Sequence, residues 1–352
     1  MEFKKEEIII FEEIKKYIYN HNNILICSHK SPDGDAIGSA ISIKKFIENC
    51  RNINNDLVNT NVKVLFPTEI SYQYKWLTEN EDIIIAETNL KLAEEAFKSA
   101  DLIIASDFNE PLRLSMCKDF FETSKAKKVV IDHHPLFNNE YDVIYNSTET
   151  SSASELVFNL LSYINLNCID DVVATYLYIG IITDTGSLSY SCNYASTYNA
   201  ISILIGTGIK GDEIHNKIFN YFPIEKTRLL GHILKDKLVV NPEYHYSYYT
   251  LTKKELCEYG YKPGYLSNVV NYALNINNIF VAASFEEKED GITKISFRSR
   301  DGYKVNQIAR DYFGGGGHMY ASGADYKGSI EDAVKLFEEI IKLNINKIDC
   351  CR

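Results

Sequence analysis

The sequence predicts an α/β protein: an N-terminal domain built on a doubly wound parallel sheet, a helical connector, and a smaller C-terminal α+β domain. Three observations carry that prediction. Between residues 22 and 182 short apolar runs alternate with helical stretches, as strands do when helices cross them over into one parallel sheet. Several of those runs stop at acidic or imidazole residues, which gathers polar groups at one edge of the sheet, where open α/β folds bind ligands. From about residue 242 the pattern changes to a second set of strands with helices of its own, and 352 residues suffice for two cores.

Taken in order, 24–27 is a short apolar strand and 36–47 has the spacing of an amphipathic helix. Between them, His29-Lys30-Ser31-Pro32-Asp33-Gly34-Asp35 packs one imidazole and two carboxylates into a Pro/Gly turn. Asp33 and Asp35 flank Gly34, so a tight turn can aim them at different sides of one centre. Oxygen ligands with one imidazole and no thiolate pattern suit Mn²⁺ or Mg²⁺ better than structural zinc. Further strand candidates are 62–66, 83–86, 102–106 and 128–131, separated mostly by helical stretches such as 90–100. The run 102–106 ends at Asp107, and 128–131 ends at Asp132-His133-His134-Pro135. A lone Asp after a strand is usually a turn or cap residue. Three such strand ends in one sheet, one with a His pair, point instead to a metal centre. The apolar helix 172–182 stops at Asp184 before Thr185-Gly186; alone, that Asp reads as a helix terminator.

Composition narrows the function classes. Hydrophobic residues make up 45% and charged residues 24%, an ordinary globular balance. The net charge of −11 excludes a broad basic surface for long nucleic acid. No segment approaches the roughly 20 apolar residues of a membrane span. The N-terminus carries both charge signs and lacks the layout of a signal peptide, so a cytoplasmic protein is expected. The eight cysteines show no C-x-x-C spacing and read as reduced packing thiols.

Residues 195–205 and 225–235 read as helices of a connector, and 244–251, 278–285 and 292–298 as strands of the second domain, with helices near 266–274, 305–311 and 330–343. That domain holds Gly314-Gly315-Gly316-Gly317-His318, then Ala321-Ser322-Gly323. Successive glycines let backbone N–H groups approach an anion without obstruction. A basic cluster lies upstream, in which Arg298 and Arg300 alternate on a strand and share a face. The resulting domain expectation is 1–190, connector 191–240, and 241–352.

Together these motifs resemble the DHH phosphoesterase family with its DHHA1 domain, over nearly the whole chain. His29-x-x-x-Asp33-x-Asp35 is similar to the family's first motif, Asp107 to its second, Asp132-His133-His134 to the triplet that names it, and Asp184 to its fourth. Gly314 to His318 with Ala321-Ser322-Gly323 resembles the DHHA1 signature. Within the family the chain resembles the nanoRNase/pAp phosphatase branch, which degrades short oligoribonucleotides to mononucleotides and removes the 3′-phosphate of 3′-phosphoadenosine 5′-phosphate (pAp). The alternatives are a phosphodiesterase for cyclic dinucleotides or pApA and, from another class, a non-catalytic nucleotide sensor. Phe108 departs from the small hydroxyl residue that often follows the second-motif Asp, which bears on substrate preference.

The resemblance implies two Mn²⁺ ions, with Mg²⁺ or Co²⁺ as alternatives. Asp107 bridges them; His29 and Asp33 complete one site, and Asp35, His133 and Asp184 the other. It implies that Asp132 orients an imidazole and that His134 contacts the phosphate or protonates the leaving oxygen. Arg113, Arg298, Ser299, Gly315, Gly316, Gly317 and His318 are the implied substrate contacts. Expected partners are short single-stranded RNA, dinucleotides and pAp, with neither membrane nor long duplex, and a homodimer as the assembly.

Overall fold

The computed structural model describes residues 3–54, 57, 60–136 and 140–344. The chain divides into two compact units, Met1–Tyr221 and Phe222–Arg352. In the first unit the elements run α1 (Lys5–Asn20), β1 (Asn23–Cys27), α2 (Gly34–Asn54), β2 (Asn61–Phe66), β3 (Ile83–Ile85), α3 (Leu90–Ser99), β4 (Leu102–Ser106), α4 (Lys118–Thr123), β5 (Lys127–Asp132), β6 (Val143–Asn146), α5 (Ala153–Asn165), α6 (Asp171–Asp184), α7 (Ala195–Gly206) and α8 (Gly211–Phe219).

The six strands form one sheet in the order β3-β2-β1-β4-β5-β6, all parallel. Strand order therefore reverses between β1 and β4, which is where such sheets open a crevice beyond the strand carboxyl ends. The central strands are apolar on both faces because both faces are covered. Ile24, Ile26, Leu102, Ile104, Val129 and Ile131 pack with α1, α2, α5 and α6 on one side. Leu25, Cys27, Ile103, Ala105 and Val130 pack with α3 and α4 on the other.

Local chemistry sets where the helices start. Asp33 Oδ1 accepts from the backbone N of Asp35 and Ala36, both at 3.0 Å, and so caps α2. Ser152 caps α5 through Glu155 N (3.0 Å), and Asp170 caps α6 through Val173 N (3.0 Å). Helices α2 and α6 cross closely, Gly38 against the α6 backbone and Gly34 against the Thr183 side chain. A Cβ on Gly38 would lie 2.4 Å from the Tyr176 carbonyl oxygen, and one on Gly34 would lie 2.3 Å from Thr183 Oγ1. This close crossing carries the C-terminal end of α6, with Asp184, to the turn that precedes α2.

The second unit contains α9 (Ile224–His232), β7 (Val239–Asn241), β8 (Tyr246–Leu251), α10 (Lys253–Glu258), α11 (Val269–Leu274), β9 (Val281–Glu287), β10 (Ile292–Ser299), α12 (Val305–Phe313), β11 (Gly316–His318), β12 (Ala321–Lys327) and α13 (Ile330–Asn344). Its sheet has the order β11-β12-β10-β9-β8-β7, with β8 and β9 parallel and the other neighbours antiparallel. Phe285, Phe297, Phe313 and Phe337 fill the core under α12 and α13.

Some details differ from the sequence reading. The strand β6 and the helix α5 have no counterpart in it. The stretch 191–240 is divided between the two units at Tyr221 and Phe222, because Leu204 of α7 and Ile214 and Ile218 of α8 are part of the core of the first. The glycine run is not a free loop: Gly314, at φ 66°, caps α12, and Gly316–His318 pairs with β12. Gly315 approaches backbone closely, since a Cβ there would lie 2.1 Å from the Gly323 carbonyl oxygen. Arg300 does not pair with Arg298 on the strand. Its guanidinium donates to the carbonyls of Ile276 (2.8 Å) and Ile279 (2.7 Å) and ties down that turn. Among the described cysteines, Cys27, Cys50, Cys117, Cys168 and Cys192 are buried and Cys257 is exposed; Cys350 and Cys351 lie outside the described residues.

Candidate metal centre

The site grows from the two strands at the order reversal. Ser28 Oγ donates to the Ser106 carbonyl (2.7 Å), and Asp107 N donates to the Ile131 carbonyl (2.9 Å), so the ends of β1, β4 and β5 are tied together. Asp107 itself sits at φ 64°, a left-handed conformation that Asp tolerates better than most residues. It is buried, and its two oxygens face opposite sides. Oδ2 lies 3.1 Å from His29 Nε2; Oδ1 lies 3.5 Å from His133 Nε2 and 3.6 Å from His134 Nδ1.

His29, Asp33 and Asp107 form one group of converging ligand atoms, Asp35, His133 and Asp184 a second, and Asp107, His133 and His134 a third, the atoms of each lying within 4.8 Å of one another. His133 Nε2 is 3.5 Å from Asp184 Oδ2 and 3.9 Å from Asp35 Oδ2. The imidazole of His29 is oriented by its other nitrogen. Nδ1 lies 2.8 Å from the Lys30 carbonyl, which can only accept, so Nδ1 carries the proton and Nε2 turns toward Asp107. Asp35 is held by the first turn of α5: Ala153 N donates to Oδ2 at 2.7 Å and Ser154 N to Oδ1 at 2.8 Å.

These residues suit a divalent cation. Asp107 Oδ1 is buried without a hydrogen-bond partner, a costly state for a carboxylate oxygen unless another group fills the role. The electrostatics agree. Burial, then the carboxylates of Asp107 and Asp184, push Asp35 well above the ordinary range. Burial also raises Asp184, to about 6, with Asp33 and Asp107 adding to the shift against the pull of His133. Burial alone would lower His133, but Asp184, Asp107 and Asp35 overcome it and hold the imidazole well above its usual value. Burial alone would raise Asp107, yet the imidazoles of His133 and His29 keep it well below. Protons thus stand in for positive charge that the crowded carboxylates require.

The remaining sequence candidates divide into two sets. His134 belongs to a network beside the cluster: Nδ1 lies 2.7 Å from Asp132 Oδ1, and Nε2 lies 3.1 Å from Arg113 Nη1. A guanidinium only donates, so Nε2 accepts and Nδ1 carries the proton. In this arrangement His134 has no Nε2 proton to give a leaving group; it orients Arg113. Arg298, Ser299 and Gly315 to Gly317 belong to the second unit. Arg298 donates to the Phe297 carbonyl (2.9 Å), and the buried Ser299 hydroxyl donates to the Tyr303 carbonyl (2.5 Å). The backbone of His318 pairs with Ala321; its side chain lies outside the described residues.

Two asparagines escaped the sequence reading. Asn109 donates to Asp132 Oδ2 and to the Pro135 carbonyl (3.1 Å), while Asn146 donates to the carbonyls of Asp132 (2.7 Å) and His134 (2.8 Å). They staple both sides of the 132–135 turn. The available signal was position and held only for Asn109, two residues after Asp107 at the end of β4; Asn146 closes β6, which the sequence reading did not contain.

A six-stranded parallel sheet whose crevice gathers carboxylates and imidazoles defines a class. Residues 23–181 match the DHH family N-terminal domain and residues 241–343 match the DHHA1 domain, and the chain belongs to the DHH phosphoesterase family, whose members are metal-dependent. Similar proteins include the probable bifunctional oligoribonuclease and PAP phosphatase NrnA of Streptococcus mutans, 26% identical over 95% of this chain and 98% of that one. The bifunctional oligoribonuclease and PAP phosphatase NrnA of Bacillus subtilis is 25% identical, over 89% of this chain and 92% of that one. Among solved structures, an exopolyphosphatase-related protein from Bacteroides fragilis is 31% identical, with a TM-score of 0.90 over 97% of this chain and 98% of that one. No helix among the described residues is long and apolar enough to cross a membrane.

Proposed function

We propose that this phosphoesterase hydrolyses short oligoribonucleotides to mononucleotides and removes the 3′-phosphate of pAp, using two divalent cations, Mn²⁺ first among them. The observation that carries the reading is the convergence of His29, Asp33, Asp35, Asp107, His133 and Asp184, with Asp107 turned to both sides. The end-to-end similarity to oligoribonuclease and PAP phosphatase relatives supports the choice of substrates. Asp107 is the shared ligand; His29 and Asp33 serve one cation and Asp35, His133 and Asp184 the other. Bound cations would lower the pKa of a coordinated water and neutralise charge on the phosphoryl oxygens.

The rest is done by the chain's own groups. Asp132 accepts the Nδ1 proton of His134, which leaves Nε2 to hold the Arg113 guanidinium, and Arg113 supplies planar donors for a phosphoryl oxygen. Arg298, the backbone of Gly315 to Gly317 and His318 are the second unit's candidate contacts for a phosphate or sugar of the substrate, while the Ser299 hydroxyl is already given to the Tyr303 carbonyl.

The test is Asp107→Asn. Asparagine tolerates the left-handed backbone and keeps the size of the side chain, while it loses the charge and turns one acceptor oxygen into a donor NH₂. We expect Mn²⁺-dependent release of AMP from pAp and from diadenylate to fall by about a hundred- to a thousandfold, as losses of electrostatic stabilisation do, with the melting temperature retained. Activity within tenfold of wild type would remove the bridging role. In a panel of pAp, dinucleotides, a long RNA and cyclic di-AMP, tight binding without any product would favour a sensor.

A further inference from the structure

A buried carboxylate outside the metal ligands has no role in the reading above. Glu155, in the first turn of α5, is only 1% exposed. Its Oε2 accepts from Ser151 N (3.0 Å), Ser151 Oγ (2.6 Å) and Thr197 Oγ1 (2.7 Å). Thr197 lies on α7 and is fully buried. The carboxylate therefore fastens the turn entering α5 to a separate helix. Hydrogen bonds to a buried charge are short and strong, and the loss of one donor leaves that charge under-satisfied.

The turn fixed in this way bears directly on the metal cluster. Ser152 caps the helix through Glu155 N, and the next two residues, Ala153 and Ser154, donate their amides to the two oxygens of Asp35. Two amides on two oxygens set the plane of the carboxylate and leave its remaining lone pairs facing His133 and Asp184. A shift of the 151–152 turn moves both amides, and Asp35 with them.

We propose that Glu155 and Thr197 are positioning residues, which hold the start of α5 so that its amides aim Asp35 at the cation it shares with His133 and Asp184. The proposal rests on Asp35 being a metal ligand. Neither residue touches the cluster, so the effect is on cation affinity and is transmitted through the backbone of 151–154.

The test is Mn²⁺ binding to the metal-stripped full-length protein, followed by the electron paramagnetic resonance signal of free Mn²⁺. Thr197→Val keeps the shape and removes the donor; the dissociation constant should rise about tenfold, the lower end of what outer-shell partners of metal ligands contribute. Thr197→Ser restores the donor and should return the constant to within about twofold of wild type. Ser151→Ala, which removes another hydroxyl from the same carboxylate, should weaken binding in the same sense and serves if Thr197→Val does not fold. Melting temperatures in chelator report folding separately. Wild-type affinity in Thr197→Val or, should that variant not fold, in Ser151→Ala overturns the proposal, as does a Thr197→Ser variant as weak as Thr197→Val, since the γ-methyl packing would then be responsible. A wild-type protein that binds no Mn²⁺ would instead overturn the metal reading itself.

Discussion

At the scale of single residues, the cluster couples cation binding to protons. Asp184 rises from an ordinary 3.8 to about 6, chiefly through burial. The metal-free fold then holds a proton that the unfolded chain has released, so this residue's contribution to stability falls as pH climbs from about 4 through 6. A cation takes the carboxylate deprotonated, so the Asp184 part of its binding strengthens over the same interval, and His133, which must become neutral and is held well above its usual value, extends the gain to higher pH. We expect the rise in melting temperature caused by Mn²⁺ to grow between about pH 5 and about pH 7; a rise independent of pH would take Asp184 out of the ligand set. Asp107 and the 132–134 triplet stand out in the sequence because each follows an apolar run at a strand end, and His29, Asp33 and Asp35 because they crowd the turn after another. Asn109, Asn146 and Glu155 do not. An asparagine after a strand reads as a turn former, and a glutamate in a first helical turn reads as a solvated cap residue.

At the scale of elements, the crossing of α2 on α6 is a close joint near the site. Gly38→Ala would drive a methyl into the Tyr176 carbonyl, and such overpacking typically costs about 1–3 kcal/mol. Denaturant unfolding of the metal-free protein should show that loss, whereas an unchanged midpoint would mean that the helices separate freely. Beyond Asp184 the chain makes a left-handed turn through Gly186 (φ 53°), Ser187 (φ 58°) and Leu188 (φ 62°). Held non-glycine residues in this region store strain beside functional groups. Ser187→Gly should relieve it and stabilise the protein by roughly 0.5–1 kcal/mol, read from the same unfolding curves. The strands β1, β4 and β5 could be read from sequence because burial on both faces makes them continuously apolar. The four-residue β6 could not, since one short half-buried run carries too little pattern to stand apart from the polar segment around it. The glycine run concealed a strand for a related reason: two of the three residues of β11 are glycines, so it offers almost no side-chain pattern to read.

At the scale of the molecule, the proposed work divides by unit: chemistry in 1–221 and recognition of the rest of the substrate in 222–352. Arg298→Ala should therefore raise KM for pAp and dinucleotides about tenfold or more, given the usual worth of a charged hydrogen bond, while the Mn²⁺ dissociation constant stays at its wild-type value. A change in cation affinity would contradict that division. The stretch 191–240 reads as a connector in the sequence because α7 and α8 carry the apolar faces of core helices within a glycine-punctuated run. Both sheets also finish on very short strands: β3, β7 and β11 have three residues each and β6 has four. A rim so brief offers a passing chain few unpaired amides in register. Molecules crowded together while refolding thus find little template along these margins for fusing sheet to sheet into aggregates.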